Sequence, residues 1–277
     1  MDYKDKSALP FIESVYGEMT QTEKMMAAWF LKKNEPSDPS LKAMARLLSV
    51  SEATLVRFAK KCGFKGYREF MYQYQKNLAG EHVDERVTES TLTVLDTYQD
   101  LLKKSHSLID EEQISRLAGM IVSAGRIYVG GVGSSGLAAR EMAYRFMRVG
   151  FPIEAIDDVD MMRMTAVFRK ETDLVIGLSL SGNRKEFLEF LQMASERHAK
   201  TVLITSGRHD NLRSFVDEVV LVPSLIHMNR GHLISPQFPF LVMTDVLYAA
   251  CMQSDNHIRR SLHDRTVAVI DERNHEE

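Results

Sequence analysis

The chain has 277 residues, 44% apolar and 26% charged, enough for one large domain or two ordinary ones with a buried core. No stretch reaches the roughly 18 uninterrupted apolar residues of a membrane-spanning helix, and residues 1–5 lack the apolar core of a signal peptide. The only two cysteines, Cys62 and Cys251, argue against structural disulfides and for a cytoplasmic location. His227 and His232 have no Cys or acidic companion, so we expect neither a metal nor a cofactor.

Charge is distributed unevenly along the chain. Residues 1–80 contain 13 basic and 9 acidic side chains, a net charge of +4, whereas the remainder carries 22 against 29, a net charge of −7. Residues 41–76 alone have 8 basic and 2 acidic side chains. A small basic region beside a larger acidic one indicates that the first binds a polyanion such as DNA. The alternative is a solvated face on a small helical domain.

The first 80 residues are predicted to be all helical and to form one domain. A helix is predicted over 9–19, and the capping-box pair Thr20 and Glu23 opens a second one, which the prolines near residues 34–39 end. A last helix is predicted over 65–78. We expect residues 81–123 to hold a linker, with 80–87 as its core, and two leading helices.

Residues 41–64 carry the most informative pattern of this domain. Apolar residues recur at helical spacing on both sides of a polar turn at 49–51, Ser51 suits the N-cap of the second helix, and Gly63 stops it. Two helices and a short turn predict a helix-turn-helix over 41–60, whose second helix, about 52–61, is expected to enter the DNA major groove.

The polar residues of this motif give a set of expected DNA contacts. We expect Arg57 to read guanine, Ser51 and Thr54 to contact bases or phosphates, and three further residues to contact phosphates: Ser40, Lys60 and Lys61. The alternative for Arg57 is an ion pair within the domain, to Glu52 or Glu69. Because one helix-turn-helix reads few base pairs, we expect a homodimer or higher homo-oligomer on an inverted repeat in double-stranded DNA, held together by helices such as 238–252.

After residue 123 the pattern changes to alternating strands and helices, which predicts an α/β domain over 124–262. The leading helices are predicted at 87–104 and 110–123, and residues 263–277 are predicted as a tail. Such alternation indicates a doubly wound, five-stranded parallel, flavodoxin-like sheet of order 2-1-3-4-5. The predicted strands are 126–130, 153–156, 173–178, 201–205 and 218–222, and the helices after them are 135–149, 161–169, 185–198, 211–215 and 238–252.

Two loops of this domain, 130–136 and 179–184, place Gly and Ser between a strand and a helix. In the predicted strand order the first and third strands are neighbours, so both loops fall at the switch point where ligands bind. Free backbone N–H groups, the positive end of a helix dipole and serine hydroxyls together describe a pocket for a phosphate-sized anion.

Two other interpretations of these loops stay open. Residues 131–136 fit the pattern G-x-G-x-x-G, and Asp157 or Asp158 lies at the spacing that a nicotinamide cofactor requires, but that interpretation gives the serines of the second loop no role. Glycine-rich turns between strand and helix also occur without any ligand.

The motifs at 51–58, 62–70, 131–136 and 179–183 closely resemble the RpiR family of bacterial transcriptional regulators over nearly the whole chain. The resemblance implies an N-terminal helix-turn-helix domain and a C-terminal SIS (sugar isomerase) domain that binds a phosphorylated sugar, in a regulator of carbohydrate metabolism. It implies that Ser134, Ser135, Ser179 and Ser181 line the phosphosugar site. We add two further loop residues to this set, Gly133 and Asn183. We also add Arg184, which stands where the family pattern has threonine.

Since SIS domains also occur in isomerases, the alternative function is a sugar-phosphate isomerase with an accessory DNA-binding domain. Proton transfer at a sugar carbon needs a Glu or His near the phosphate site. Glu141, Glu186, His227 and His232 are the candidates, but no two of them form a recognisable acid–base pair. We therefore expect a sensor and no enzyme.

Overall fold

The computed structural model describes residues 8–78, 88–207, 212, 214–226, 228, 230–254 and 256–275. The chain separates into two compact units, Met1–Thr88 and Glu89–Glu277. The linker predicted at 80–87 lies outside the described residues. None of the helices in the described ranges is long and apolar enough to cross a membrane.

The first unit is helical throughout its described part, as predicted. Thr20 and Glu23 form the predicted capping box: the Glu23 carboxylate accepts a hydrogen bond from the Thr20 N–H at 2.8 Å, and Thr20 Oγ1 accepts one from the Glu23 N–H at 3.4 Å. The first helix is shorter than predicted, because the chain tightens into a 3₁₀ turn at Tyr16–Glu18. The helices are α1 Ala8–Ser14, α2 Gln21–Leu31, α3 Leu41–Leu47, α4 Glu52–Lys61 and α5 Tyr67–Leu78.

An aromatic cluster forms the centre of the first unit. Phe30 of α2 lies edge-on to Phe70 and Tyr74 of α5, with ring centroids 4.9 Å apart in both pairs, and stacks on Phe58 of α4 at 5.8 Å. All four side chains are fully buried. Each such aromatic pair adds about 0.5–1.5 kcal/mol to the stability of the fold beyond the contribution of the buried area. The cluster therefore fixes the position of α4 in the first unit.

The turn between α3 and α4 has the conformation of a helix-turn-helix. Ser49 adopts a positive φ of 55°, and the Val50 N–H donates to the Ala45 carbonyl at 2.9 Å. Ser51 then caps α4, accepting a hydrogen bond from the Thr54 N–H at 3.1 Å. The chain leaves α4 through Gly63, whose φ is +85°. The Ser51 cap and the Gly63 exit are both as predicted.

The second unit contains the predicted five-stranded sheet, all parallel, in the order β2-β1-β3-β4-β5. Helices follow the strands and cover both faces, which confirms the doubly wound fold. The strands are β1 Arg126–Gly131, β2 Ile153–Ile156, β3 Asp173–Leu178, β4 Lys200–Thr205 and β5 Glu218–Leu221. The helices are α6 Glu89–Leu108, α7 Glu111–Ser123, α8 Ser134–Met147, α9 Val159–Ala166, α10 Lys185–Glu196, α11 Phe238–Ser254 and α12 Asn256–His275.

Alternate residues of the strands build two separate cores. Ile127 and Val129 of β1 face a cluster that includes Phe146 of α8, while Tyr128 faces a second cluster with Phe187 and Phe190 of α10. Burial on both faces is what the near-continuous apolar runs of these strands require. The two cores fix β1 and β3 side by side and thereby position the loops that follow them.

The helix α12 is the main departure from the sequence analysis, which has only a tail at 263–277. The helix was missed because its residues are mostly polar and lack a continuous apolar stripe. It is anchored locally to the end of α8: Thr266 Oγ1 donates to the Arg148 carbonyl at 3.4 Å, and Arg259 Nη1 donates to the Val149 carbonyl at 3.2 Å. The helix predicted at 211–215 falls partly outside the described residues.

Candidate functional site

The carboxyl ends of β1 and β3 are neighbours, because Gly131 pairs with Leu178 at the last step of their parallel ladder. The loops that follow these strands therefore meet at one edge of the sheet, at the switch point of the strand order. A cavity of about 260 Å³ opens between them. Its polar lining comes from Ser135, Ser179, Ser181, Arg184 and Ser206, and its apolar lining from Val132, Leu178, Leu180, Phe187, Leu225 and Ile226.

The structure thus brings together four of the seven residues predicted for a ligand: Ser135, Ser179, Ser181 and Arg184. The other three, Gly133, Ser134 and Asn183, lie in the same two loops but do not line the cavity.

The loop after β1 is a tight turn in which the backbone approaches itself closely. A Cβ added at Gly131 would lie 2.5 Å from the backbone oxygen of Ser135, so a larger residue does not fit without movement of the chain. Gly133 has a φ of +62°, in the region that favours glycine. The helix α8 begins directly after it, so the first turn of α8 is placed at the cavity.

The loop after β3 is folded by one of its own serines. The Gly182 N–H donates to Ser179 Oγ at 3.2 Å, which closes the turn before α10. Ser181 and Arg184 are exposed on this turn, and Arg184 is the N-cap residue of α10. The second loop therefore brings a hydroxyl and a guanidinium to the cavity beside the start of a helix.

The two helices that begin at the cavity lack side-chain caps. The N-cap residues of α8 and α10 are Gly133 and Arg184, and neither makes a side-chain hydrogen bond to the first turn of its helix. Uncapped first-turn N–H groups and the positive end of the helix dipole favour an anion. Side-chain caps are present, in contrast, on α2, α3, α4, α7 and α9, from Thr20, Ser40, Ser51, Asp110 and Asp158.

Three residues of the cavity wall that lie outside the two loops and the elements flanking them were not predicted from the sequence: Ser206, Leu225 and Ile226. Ser206 follows β4, which pairs with β3, and its hydroxyl donates to the Leu180 carbonyl at 2.7 Å. Because β4 is parallel to β3 and next to it, its carboxyl end lies at the edge of the sheet where the cavity opens. The predicted strand order could therefore have indicated Ser206 as a cavity residue. Leu225 and Ile226 belong to an irregular segment for which the sequence offers no periodic signal.

Those candidates for other chemistry that the structure describes do not converge on this cavity. Asp157, which a dinucleotide would need for its ribose, pairs instead with Arg140 Nη2 at 2.6 Å. Glu141 lines a separate cavity of about 490 Å³ between α8 and α11. His232 is exposed in a 3₁₀ turn, Gly231–Leu233, and lines neither cavity. The side chain of Glu186 and the whole of His227 lie outside the described residues.

On the first unit, α4 presents a row of polar side chains. Ser51 Oγ and Thr54 Oγ1 lie 2.8 Å apart, and Arg57 Nη2 donates to Thr54 Oγ1 at 3.3 Å. Arg57 is exposed and makes no ion pair with Glu52 or Glu69, whose pairing was the alternative at this position. Lys60 is also exposed. Ser40 caps α3, accepting from the Ala43 N–H at 3.3 Å.

Lys61 differs from its neighbours on α4, because its ammonium group is bound within the first unit. Its Nζ lies 2.9 Å from Glu23 Oε2 and donates to the Glu18 carbonyl at 2.6 Å. Hydrogen bonds from Lys61 and from the Thr20 N–H lower the pKa of Glu23. Lys61 thus joins α4 to the capping box of α2, and we leave it out of the proposed DNA contacts.

Comparison with known families identifies both units. The model of the helix-turn-helix domain of the rpiR family matches residues 6–81, and the model of the SIS domain matches residues 120–249. The protein is therefore a DNA-binding transcriptional regulator that carries a SIS domain.

Full-length relatives define this class further. An uncharacterized HTH-type transcriptional regulator of Haemophilus influenzae is 30% identical, covering 96% of this chain and 97% of its own length. The regulator RpiR of Escherichia coli is 24% identical over 95% of this chain and 92% of its own. The structure of Vibrio vulnificus NanR with ManNAc-6P matches 95% of this chain and 98% of that one, with a TM-score of 0.56 and 25% identity. The chain belongs to the RpiR family.

Proposed function

We propose that this regulator senses a phosphorylated sugar and thereby controls genes of carbohydrate metabolism. The sugar binds in the serine cavity, which lies between the two serine loops, 130–136 and 179–184. The observation that carries the proposal is the pair of uncapped helix N-termini at a cavity lined by Ser135, Ser179 and Ser181. The likeness to NanR, whose structure contains ManNAc-6P, supports the same class of ligand.

In this proposal the phosphate binds at the starts of α8 and α10, where amides and serine hydroxyls supply donors. Gly133, Ser134 and Asn183 belong to the same two loops. Gly133 lets α8 begin at the cavity without a side chain over its first turn, and Ser134 and Asn183 complete the predicted set. The cavity is small for a dinucleotide and suits one compact ligand.

On the DNA side, Arg57 is proposed to read guanine in the major groove, with Ser51 and Thr54 beside it. The hydrogen bond from Arg57 to Thr54 orients the guanidinium along the exposed side of α4. Lys60 and Ser40 are proposed to contact phosphates, which adds affinity but no sequence preference.

We propose that the protein binds an inverted repeat in double-stranded DNA as a homodimer or higher homo-oligomer. The face shared by α8 and α11 supports a contact between second units. Leu137, Tyr144 and Met147 of α8 are each about half exposed there, and Leu241 of α11 lines the adjacent cavity. Large exposed apolar side chains on one face are typical of interaction sites. Light scattering of the wild type and of Tyr144→Glu tests this contact.

We further propose that the protein acts in the cytoplasm and catalyses no reaction on its sugar ligand. In the described wall of the cavity there is no Glu or His to move a proton. The alternative, an isomerase with an accessory DNA-binding domain, predicts turnover of sugar phosphates. Nuclear magnetic resonance of the ligand over hours in the presence of protein distinguishes the two.

The decisive experiment is a titration of sugar phosphates into a fluorescence anisotropy assay on a mapped operator. At least one of them is expected to change the operator affinity by fivefold or more, as ligand couplings of this kind do. Ser181→Ala should weaken the ligand effect without altering basal DNA binding. Ser123→Ala on α7, an exposed serine remote from the cavity lining, is the matched control. No effect of any sugar phosphate would contradict the sensing role.

A further inference from the structure

Among the described residues that line the serine cavity, Arg184 is the one with a charged side chain. Its side chain is exposed, and the guanidinium makes no hydrogen bond or ion pair with another described residue. The family pattern that the chain resembles has threonine at this position, where this chain has arginine. A full positive charge at the wall of a ligand cavity needs a reason beyond the stability of the fold.

The phosphate of the ligand does not by itself require this cation. The two uncapped helix N-termini and the hydroxyls of Ser135, Ser179 and Ser181 already supply donors and positive potential for one phosphate group. No acidic side chain lines the cavity among the described residues, so nothing in the wall neutralises the guanidinium. The cavity therefore has more positive potential than one phosphate needs.

We propose that the effector is a phosphorylated sugar acid and that Arg184 binds its carboxylate. This inference rests on the proposed function and narrows its ligand class. A guanidinium presents a planar fork of donors that matches a carboxylate with two parallel hydrogen bonds. A neutral sugar hydroxyl uses one of those donors and none of the charge. Arg184 is thus the residue that selects an acid over the corresponding alcohol.

Matched pairs of ligands isolate the carboxylate from everything else. 6-Phosphogluconate and glucitol 6-phosphate have the same open chain and phosphate and differ only in a carboxylate against a hydroxymethyl group. Glucuronic acid 1-phosphate and glucose 1-phosphate form the equivalent pair with a ring. Isothermal titration calorimetry of the full chain with all four ligands gives the preference for the acid in each pair.

The expected result is a preference of tenfold or more for the acid in at least one pair, as for a hydrogen bond between charged groups. Arg184→Gln should reduce that preference to about twofold or less and leave the affinity for the alcohol nearly unchanged. Arg184→Lys should restore part of the preference. Lys185→Gln, which removes the same charge from the next residue of the same helix, is the matched control and should keep the preference.

Other results would overturn the inference in distinguishable ways. If Arg184→Gln weakens the acid and the alcohol equally, Arg184 binds the phosphate and the assignment to a carboxylate is wrong. If the alcohols bind as well as the acids in the wild type, the ligand class is wrong but phosphosugar sensing stands. If none of the four ligands binds at millimolar concentration, the inference is overturned, whereas the sensing role is decided by the wider titration of sugar phosphates against operator binding.

Discussion

The capped helices of the first unit and the two helices that begin at the cavity of the second unit use their N-cap residues in opposite ways. In the first unit Thr20, Ser40 and Ser51 each accept a hydrogen bond from the first turn of their own helix, and Glu23 completes the capping box of α2. In the second unit the two helices at the serine cavity begin without such caps. A missing cap costs from roughly a few tenths of a kcal/mol at a glycine such as Gly133 to about 1 kcal/mol at other residues, and a bound anion stabilises those turns.

This difference follows from what each unit binds. The DNA-binding unit must present a rigid helix, and its caps and its aromatic core hold α4 before any DNA is present. The sensing unit must gain free energy when its effector binds. If N-cap side chains already accepted the first-turn N–H groups, those groups could not donate to the effector. Unsatisfied first-turn amides thus store binding energy for a ligand. Four substitutions test this contrast.

The largest effect is expected from Gly131→Ala, which introduces a steric clash with the backbone of the first serine loop, 130–136. The new Cβ would lie 2.5 Å from the Ser135 carbonyl oxygen, a backbone atom that moves only with the whole turn. We expect a loss of about 3 kcal/mol in the free energy of unfolding of the second unit and loss of effector binding. Calorimetry follows the second unit, and fluorescence of Trp29, the single tryptophan, follows the first.

Gly119→Ala on α7 is the matched control for this substitution. A Cβ at Gly119 meets nothing within 4 Å, and the residue lies inside a helix. The variant should be slightly more stable than the wild type, by about 0.5–1 kcal/mol. Equal stability of the two variants would show that the loop relaxes freely and that its tight turn is unimportant.

The next effect is expected from Arg57→Ala, which removes an exposed side chain of α4 that makes no ion pair with a described residue. Operator binding should weaken by about 1–3 kcal/mol, with relaxed preference at one base pair. Lys60→Ala should weaken binding to all sequences alike and reduce the slope against salt by about one. Anisotropy on the mapped operator and on a scrambled duplex separates the two. Uniform weakening by Arg57→Ala would make Arg57 a phosphate contact.

The sequence predicted the fold well where local signals and topology agree. Periodic apolar residues and the caps at Thr20, Ser51 and Asp110 located the helices, and the apolar runs gave all five strands to within a residue. It failed at α12, whose polar residues carry no stripe. In the cavity it found the serines of adjacent loops but not Leu225 or Ile226, because an irregular segment reaches the site only through tertiary structure.

Lys61 shows a second limit on prediction from the sequence, because the partner of a charged side chain can lie far away in the chain. Its charge and position on α4 indicate a phosphate contact, yet a partner 38 residues away in sequence binds its ammonium group. Ion pairs between distant segments leave no trace in local composition. The same limit applied to Arg57, for which the sequence favoured a DNA contact but left an ion pair open as the alternative.

A third substitution, Arg184→Ser, supplies a cap that the sensing unit lacks. Arg184 has an extended backbone, with φ −71° and ψ 115°, which a capping serine adopts without strain. Relative to Arg184→Ala, the serine variant should raise the free energy of unfolding of the second unit by about 1 kcal/mol. It should also bind sugar phosphates no more tightly than the alanine variant, because its hydroxyl now occupies a first-turn amide. If the serine variant binds sugar phosphates more tightly than the alanine variant, the new hydroxyl forms a hydrogen bond with the ligand and not with the first-turn amide.

The smallest effect concerns the capping box in the first unit, where Glu23→Gln removes a charge but keeps the box. Gln accepts the Thr20 N–H as Glu does, so the loss is confined to the ion pair with Lys61. A partly exposed pair of this kind contributes about 0.5–1 kcal/mol. Urea unfolding followed by Trp29 fluorescence reports the first unit, and Glu13→Gln, an exposed glutamate of α1 without an ion pair to a described residue, is the control.

The pH dependence of this difference tests its cause. The Lys61 and Thr20 hydrogen bonds hold the pKa of Glu23 in the folded chain below its ordinary value of 4.5. A carboxylate with a lowered folded pKa stabilises above its unfolded pKa and loses that contribution as the pH falls through the folded one. The advantage of the wild type over Glu23→Gln should therefore be constant from pH 7 to about 5 and shrink below about 4.5. A difference that persists undiminished in acid would assign the effect to the shape of the side chain. The link between the capping box and α4 would then depend on packing and on the hydrogen bond from Lys61 to the Glu18 carbonyl.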